Sequence, residues 1–95
     1  MKKRTDHNDY IDVLERRFGK SFDSYERNVE YEKNGVYGEI DFIGVKDGIF
    51  YIYEVKCNGG KRQKAIEQLR RAEKFLKRRC RKFYYVGRDD FLTEI

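Results

Sequence analysis

Three charged residues, Asp41, Glu54 and Lys56, lie in two strand-forming runs on either side of one Asp-Gly dipeptide. Asp47-Gly48 between such runs is the strongest short-range signal for a tight β-hairpin, because the two-residue turn needs a positive φ at both positions. Counting back along both strands from this turn places Asp41 directly opposite Glu54. Opposite residues of an antiparallel pair share one face of the sheet, with Cβ atoms about 4.5–5.5 Å apart. The sequence therefore predicts two carboxylates face to face.

The same count places Glu39 opposite Lys56, so four charged groups are predicted to meet at one end of the hairpin. Carboxylates that leave water must be paired, protonated or bound to a cation. Mg²⁺ accepts one or two carboxylates and fills its remaining positions with water and phosphate oxygens. A metal held there would lower the pKa of an attacking water, and Lys56 could hold or help to deprotonate that water. The alternative is a structural ion quartet in which Lys56 and Glu39 neutralise each other.

Basic residues are concentrated in the second half of the chain. The formal net charge is +5 over 95 residues, but residues 1–60 carry −2, residues 61–88 carry +10 and the last seven carry −3. A basic segment of this density attracts polyanions, of which nucleic acid is the usual one. A solvated basic helix is the alternative.

Length and composition predict one folded domain over residues 1–95. A hydrophobic content of 39% with 16% aromatic residues excludes a disordered tail, despite 41% charged residues. No apolar run approaches the roughly 18 residues that span a bilayer, and no signal-peptide pattern opens the chain, so we expect a soluble, cytoplasmic protein without membrane contact. Cys57 and Cys80 form no metal-binding pattern and are expected to be free thiols.

The periodicities predict an α/β fold in which a mixed sheet is flanked by helices, in the order α-β-β-β-α-β. Asn8 or Asp9 could cap the first helix, and Gly19 would end it. Central strands of the hairpin carry apolar residues on both faces, so helices should cover both sides of the sheet. The predicted helices cover residues 9–18 and from about 61 to 79, the predicted strands cover residues 25–31, 39–46, 49–57 and 82–86, and a short turn is expected at residues 91–92.

Two segments carry a family resemblance: Gly38-Glu39-Ile40-Asp41-Phe42-Ile43 and Tyr53-Glu54-Val55-Lys56. They resemble the PD-(D/E)XK superfamily of restriction-endonuclease-like nucleases, and within it the archaeal Holliday-junction resolvases and RecB-like nuclease domains. Those proteins have an acidic residue on one central strand and an acidic-x-Lys triplet on the next. The chain lacks the Pro that commonly precedes the first acidic residue, and it lacks the four-Cys cluster of the iron–sulfur members.

The resemblance implies a restriction-endonuclease-like fold and a Mg²⁺-dependent endodeoxyribonuclease, with Mn²⁺ able to substitute. Asp41 and Glu54 would be catalytic metal ligands, and the Val55 carbonyl would join them. Lys56 would orient the attacking water. Glu15, on the first helix, matches the auxiliary glutamate of many members, as a ligand or a base. His7, the single histidine, is a weaker candidate for a general base.

The resemblance also implies DNA as the partner, with branched DNA as the substrate. Because so small a domain would cover little DNA, we expect a homodimer that presents two active sites. RecB-like members often carry a Gln on the following helix, and Gln68 matches it better than Gln63. Predicted nucleic-acid-binding residues on that helix are Lys61, Arg62, Lys64, Gln68, Arg70, Arg71 and Lys74. Two rival functions remain: a non-catalytic nucleic-acid-binding module of the same fold, and an interaction protein whose basic surface meets an acidic partner.

Overall fold

A computed structural model describes residues 7–95, which form two helices and five strands. Two short 3₁₀ turns follow the first helix and the fourth strand. The elements are α1 (His7–Phe18), β1 (Ser24–Lys33), β2 (Val36–Lys46), β3 (Ile49–Lys56), α2 (Arg62–Leu76), β4 (Cys80–Val86) and β5 (Phe91–Glu94).

The five strands form one sheet in the order β1-β2-β3-β4-β5. Neighbouring strands are antiparallel except β3 and β4, which are parallel and are joined through α2. A parallel pair needs a crossover of this kind, because a tight turn cannot return the chain to the same end of the sheet. The chain is thus a compact α/β domain with a mixed sheet and two helices, as the sequence predicts at this level.

The hairpin at Asp47-Gly48 is confirmed. Asp47 has φ 53° and Gly48 has φ 78°, as the predicted turn requires. Lys46 pairs with Ile49, and the register follows the predicted count as far as Phe42 opposite Tyr53. The second turn signal, Asn34-Gly35, also has positive φ at both positions and joins β1 to β2.

Each face of the sheet has its own apolar core, which confirms that the central strands are covered on both sides. On one face, α1 packs its buried Ile11 and Leu14 against a cluster formed by Phe42, Tyr53, Val55 and Tyr85. On the other, α2 packs Leu69 and Ala72 against Tyr31, Ile40, Ile52 and Cys80. Each large side chain removed from water stabilises the fold by about 1.5–3 kcal/mol, so both helices are fixed to the sheet.

The observed elements differ from the predicted ones mainly at their ends. Already at His7 the chain is helical, so the expected caps Asn8 and Asp9 lie inside α1. Helix α2 stops three residues early, where Lys77 adopts a left-handed φ of 58° and donates its N–H to Glu73 and Lys74 carbonyls.

The strand β5 is absent from the predicted order, which had a turn at residues 91–92. It pairs antiparallel with β4 after a left-handed Asp90 with φ 50°. Arg81 of β4 fixes it by donating from Nε and Nη2 to the two oxygens of Glu94, at 2.9 and 2.7 Å. A four-residue strand has too short a pattern to be detected by periodicity, and its stability comes from these contacts with β4.

The alternation of side chains reverses halfway along the β1–β2 pair. Phe42 belongs to the core under α1, whereas Ile40, two residues away, belongs to the core under α2. Residues two apart on a regular strand share a face, so the alternation breaks at Asp41. Across from it, Asn28 has a left-handed φ of 53°, and pairing resumes on each side with Arg27–Phe42 and Val29–Ile40. Asp41 therefore lies at a local irregularity of the sheet.

Candidate active site

Asp41 is almost fully buried, with 2% of its surface exposed. The paired register of β2 and β3 ends at Phe42–Tyr53, one residue before the predicted pair of Asp41 with Glu54. Instead, Oδ2 of Asp41 accepts the backbone N–H of Val55 at 2.8 Å. Backbone N–H groups of a strand lie in the plane of the sheet, so this carboxylate occupies the gap where β2 and β3 separate. The prediction of a regular cross-strand pair is corrected accordingly.

His7 fills the rest of this gap. Its Nε2 lies 2.8 Å from the Val55 carbonyl oxygen and 3.2 Å from Oδ2 of Asp41. Because a carbonyl can only accept, Nε2 must carry the hydrogen in this contact. The hydrogen bond to Asp41 is the largest influence on the imidazole and raises the pKa of His7, against the lowering effect of burial. Both backbone groups of Val55 on this side are thus satisfied by side chains rather than by β2.

Glu54 is the second buried carboxyl group, with 5% of its surface exposed. Burial raises its pKa to about 7, the negative charge of Asp41 adds to the rise, and Lys56 opposes it. Nζ of Lys56 lies 3.3 Å from Oε2 of Glu54. The predicted trio of Asp41, Glu54 and Lys56 is therefore brought into one electrostatic environment, although Asp41 and Glu54 do not form a regular ladder pair.

Glu39 does not pair with Lys56 as the hairpin count predicted. It lies opposite Glu30 on β1 and is exposed, while Lys56 contacts Glu54. Burial and the charge of Asp41 raise the pKa of Glu39, and His7 lowers it. The predicted ion quartet is wrong in this respect, because the alternation reverses at Asp41 and moves residue 39 out of the predicted face.

Glu15 is not brought to the carboxylate pair either. Its Oε2 accepts the Tyr25 hydroxyl at 2.7 Å, and its Oε1 lies 2.9 Å from Nη1 of Arg27. These two contacts lower the pKa of Glu15. Glu15 lies eight residues after His7, about 12 Å further along α1, so the start of the helix contributes to the site and Glu15 binds β1.

The oxygens around Val55 fit a hard divalent cation. A carboxylate oxygen of Asp41 and the Val55 carbonyl converge on a single N–H of His7, within 3.2 and 2.8 Å of its nitrogen. Mg²⁺ needs only one or two protein carboxylates, since water and phosphate supply its other ligands. Within residues 7–95, no group of three or more His, Cys, Asp or Glu side chains is arranged to hold a metal ion. Among the described residues, the oxygens that converge here are those of Asp41 and Val55, and a cation would have to take the place of the His7 N–H.

The predicted nucleic-acid-binding residues divide between two cavities, one at each end of α2, and its outer surface. Lys61 and Lys64 line a cavity of about 300 Å³ beside Lys56 and His7. Arg71 and Lys74 line a second cavity of about 370 Å³, between α2 and the end of the β1–β2 hairpin. Arg62 and Arg70 are exposed and line neither.

Gln68 is turned towards the interior. It lies on the helical side of Ala65, Leu69 and Ala72, and within the described part of the chain its buried Oε1 has no hydrogen-bond partner. An unpartnered buried acceptor costs about 1–3 kcal/mol, so Gln68 contributes no packing advantage that explains its place on this side of the helix.

His7 is the site residue that sequence analysis undervalued. Its contacts join the first described residue of α1 to β2 and β3, which lie 34 and 48 positions further along the chain. No spacing rule connects elements that are so distant in sequence. The one available signal is that it is the only histidine of the chain.

Fold and site together define a compact α/β domain with a buried acidic pair, a lysine beside it and a basic helix across the sheet. Comparison of the chain with protein-family models, with curated proteins and with solved structures gives no match. Neither of the described helices is long and apolar enough to cross a membrane. Cys57 and Cys80 are both free thiols, as expected.

Proposed function

We propose that the chain is a metal-dependent endonuclease that hydrolyses phosphodiester bonds of DNA, on a fold related to the restriction endonucleases. The observation that carries the proposal is the buried pair of Asp41 and Glu54, with the Glu54 pKa raised to about 7 and Lys56 3.3 Å from Glu54. Each carboxylate has a polar partner, but two buried like charges still cost stability, and a bound divalent cation would remove that cost.

The side chains have distinct roles in this proposal. Asp41, Glu54 and the Val55 carbonyl would hold Mg²⁺ or Mn²⁺, which supplies a water of lowered pKa and polarises the phosphoryl group when bound. Lys56, held by Glu54, places its ammonium group where it can orient the attacking water. The Val55 N–H fixes the Asp41 carboxylate at 2.8 Å, so that the acidic group needs little rearrangement.

The direct test is cleavage of labelled DNA with Mg²⁺, with Mn²⁺ and with EDTA. We expect cleavage that needs the metal and that falls by at least about 100-fold in Lys56→Ala. Asp41→Asn and Glu54→Gln should be equally inactive, with wild-type affinity for DNA measured in EDTA. Cleavage that survives EDTA, or that persists at the wild-type rate in Lys56→Ala, would refute the proposal.

A second candidate is a nucleic-acid-binding module of the same fold without catalysis. The observation that favours it is His7, whose Nε2–H satisfies both Asp41 and the Val55 carbonyl by itself. This candidate predicts metal-independent binding and an Asp41→Ala variant that binds DNA at least as tightly, since one repelling charge is removed. Metal-dependent cleavage by the wild-type chain decides between the two.

Branched DNA as the substrate and a homodimeric assembly are further parts of the proposal. The first rests on the family resemblance and the second on the small size of the domain. Four-way junctions, linear duplexes and single strands of matched sequence should be compared in one cleavage experiment. Sedimentation of the purified chain tests the dimer. A monomer that cuts linear duplex and junction equally well would remove both parts and leave the nuclease proposal intact.

A further inference from the structure

Two basic cavities flank the middle of α2. The first, about 300 Å³, lies where β3 leads into α2, and its cationic lining is Lys56, Lys61 and Lys64. The second, about 370 Å³, lies between α2 and the outer end of the β1–β2 hairpin, and its cationic lining is Lys33, Arg71 and Lys74. We call them the loop cleft and the hairpin cleft.

Five of these six cations are available to a ligand. Within the described residues, Lys33, Lys61, Lys64, Arg71 and Lys74 take part in no ion pair with a carboxylate, and all five are exposed. The sixth, Lys56, contacts Glu54. Unpaired cations in a cavity are suited to an anion that enters it.

The walls of the two clefts are fixed. The Cys57 carbonyl accepts the backbone N–H of Arg88 at 3.0 Å, and Nη1 of Arg88 donates to Oδ1 of Asn58 at 3.1 Å, so the loop cleft is tied to the end of β4. In the hairpin cleft, the Tyr31 ring stacks on Phe75 with centroids 4.3 Å apart. Gly38 leaves the space that this ring needs, since a Cβ there would overlap it.

The clefts are aligned along one side of α2. At about 100° per residue, Lys64, Gln68 and Arg71 lie within about 60° of one another around the helix, whereas Arg62 and Arg70 are turned about 160° and 120° from Lys64. Arg70 lies about 40° from Lys74 around the helix but, like Arg62, lines neither cleft. Lys64 and Arg71 are seven residues apart, which is about 10 Å along the axis. A nucleic-acid strand that follows α2 would therefore pass both clefts within a few nucleotides.

The carboxylate site lies beside this line. At the loop cleft, the lining residue Lys56 contacts Glu54. At the hairpin cleft, the lining residue Tyr31 has a pKa that both Glu54 and Arg71 influence. We propose, on the basis of the nuclease function proposed above, that the sugar–phosphate backbone of one nucleic-acid strand runs along α2, with one phosphate in each cleft and the cleaved bond between them. The strand is either single-stranded nucleic acid or one strand of a duplex.

The test is the binding of a fluorescent single-stranded oligonucleotide and of its blunt duplex, both in EDTA so that cleavage plays no part. The variants are Lys61→Ala/Lys64→Ala for the loop cleft and Arg71→Ala/Lys74→Ala for the hairpin cleft. Arg62→Ala/Arg70→Ala removes the same charge from the same helix outside both clefts and is the matched control.

Each cleft variant should bind about tenfold more weakly and should lower the slope of log Kd against log salt by about 0.7 on single strands, for one lost phosphate contact. The control should lower that slope by about 0.2 or less. The form that binds more tightly identifies whether the strand is single or part of a duplex. Equal losses in the control and in both cleft variants would show a diffuse basic field and overturn the proposal.

The result is separable from the test of catalysis. Wild-type protein that binds through both clefts and never cleaves DNA would support the strand path and refute the nuclease. Protein that cleaves, while the two cleft variants bind and cut as the control does, would refute the strand path alone.

Discussion

Replacing Glu54 by Gln should stabilise the metal-free chain at alkaline pH while it destroys the proposed site. Glu54 is buried beside Asp41, and its pKa of about 7 compares with an ordinary value of 4.5. Between these values the folded chain holds a proton that the unfolded chain has released, so stability is lost as the pH rises through this window. The free energy of unfolding falls by about 1.4 kcal/mol for each pH unit in this window, so the loss by pH 8 is about 3 kcal/mol.

Glutamine is neutral and nearly isosteric, so the variant avoids this loss. The pKa of about 7 already includes the contact with Lys56 at 3.3 Å, so the expected net gain at pH 8 is about 3 kcal/mol. The measurement is urea unfolding in EDTA at pH 5 and pH 8. The two proteins should be similarly stable at pH 5 and should separate at pH 8.

His7 contributes a pH dependence of the same sign. Its pKa is raised in the folded chain, so it gives a stabilisation that is lost as the pH rises from the ordinary pKa of 6.5 through the pKa of the folded chain. The difference between wild type and Glu54→Gln isolates the carboxyl group from it. Glu73→Gln is the opposite control. The Cys80 N–H and Lys82 lower the pKa of Glu73, so its contribution is present at high pH and is lost as the pH falls. If Glu54→Gln is no more stable than wild type at pH 8, the raised pKa of Glu54, caused first by its burial and then by Asp41, is refuted.

Three further outcomes are expected. Mg²⁺ at a hundredfold excess over its Kd should stabilise the wild-type chain by about 2.7 kcal/mol and should leave Asp41→Asn unchanged in thermal unfolding; equal stabilisation of both would place the cation elsewhere. Glu15→Gln should keep its cleavage rate within about threefold of wild type, a change of less than 1 kcal/mol in the barrier, because Tyr25 and Arg27 occupy its carboxylate; a loss as large as that of Lys56→Ala would return Glu15 to the site. Gly38→Ala should lower the free energy of unfolding, measured in urea, by about 1–3 kcal/mol, since the added methyl group overlaps the Tyr31 ring. Gly59→Ala is the control and should be nearly neutral, because no atom lies within 4 Å of a Cβ placed there.

The parts of the fold that depend on neighbouring residues could be predicted from the sequence. Asp47-Gly48 requires two positive φ angles and therefore fixes a turn, a register and the alignment of the next few pairs. Apolar residues on both faces of β2 and β3 likewise predict helices on both sides. These features involve residues that are close in sequence, so their geometry is determined locally.

The position of Asp41 could not be predicted in this way. It depends on Asn28, which lies on another strand and adopts a left-handed φ. It also depends on His7, whose imidazole N–H donates a hydrogen bond to the Val55 carbonyl. Asn tolerates that conformation better than most residues, but it does so in many loops, and its occurrence within a strand carries no clear signal. The tertiary packing decides where the regular ladder ends, and the carboxylate follows it.

The break at Asn28 and Asp41 divides the long β1–β2 ribbon into two parts that are specified by different turns. Asp47-Gly48 determines which side chains of the inner part face α1, whereas Asn34-Gly35 determines which side chains of the outer part face α2. Insertions or deletions of residue pairs near Asn34 would lengthen or shorten the outer ribbon without moving the acidic pair. The length of the outer ribbon that covers α2 can therefore vary independently of the candidate active site.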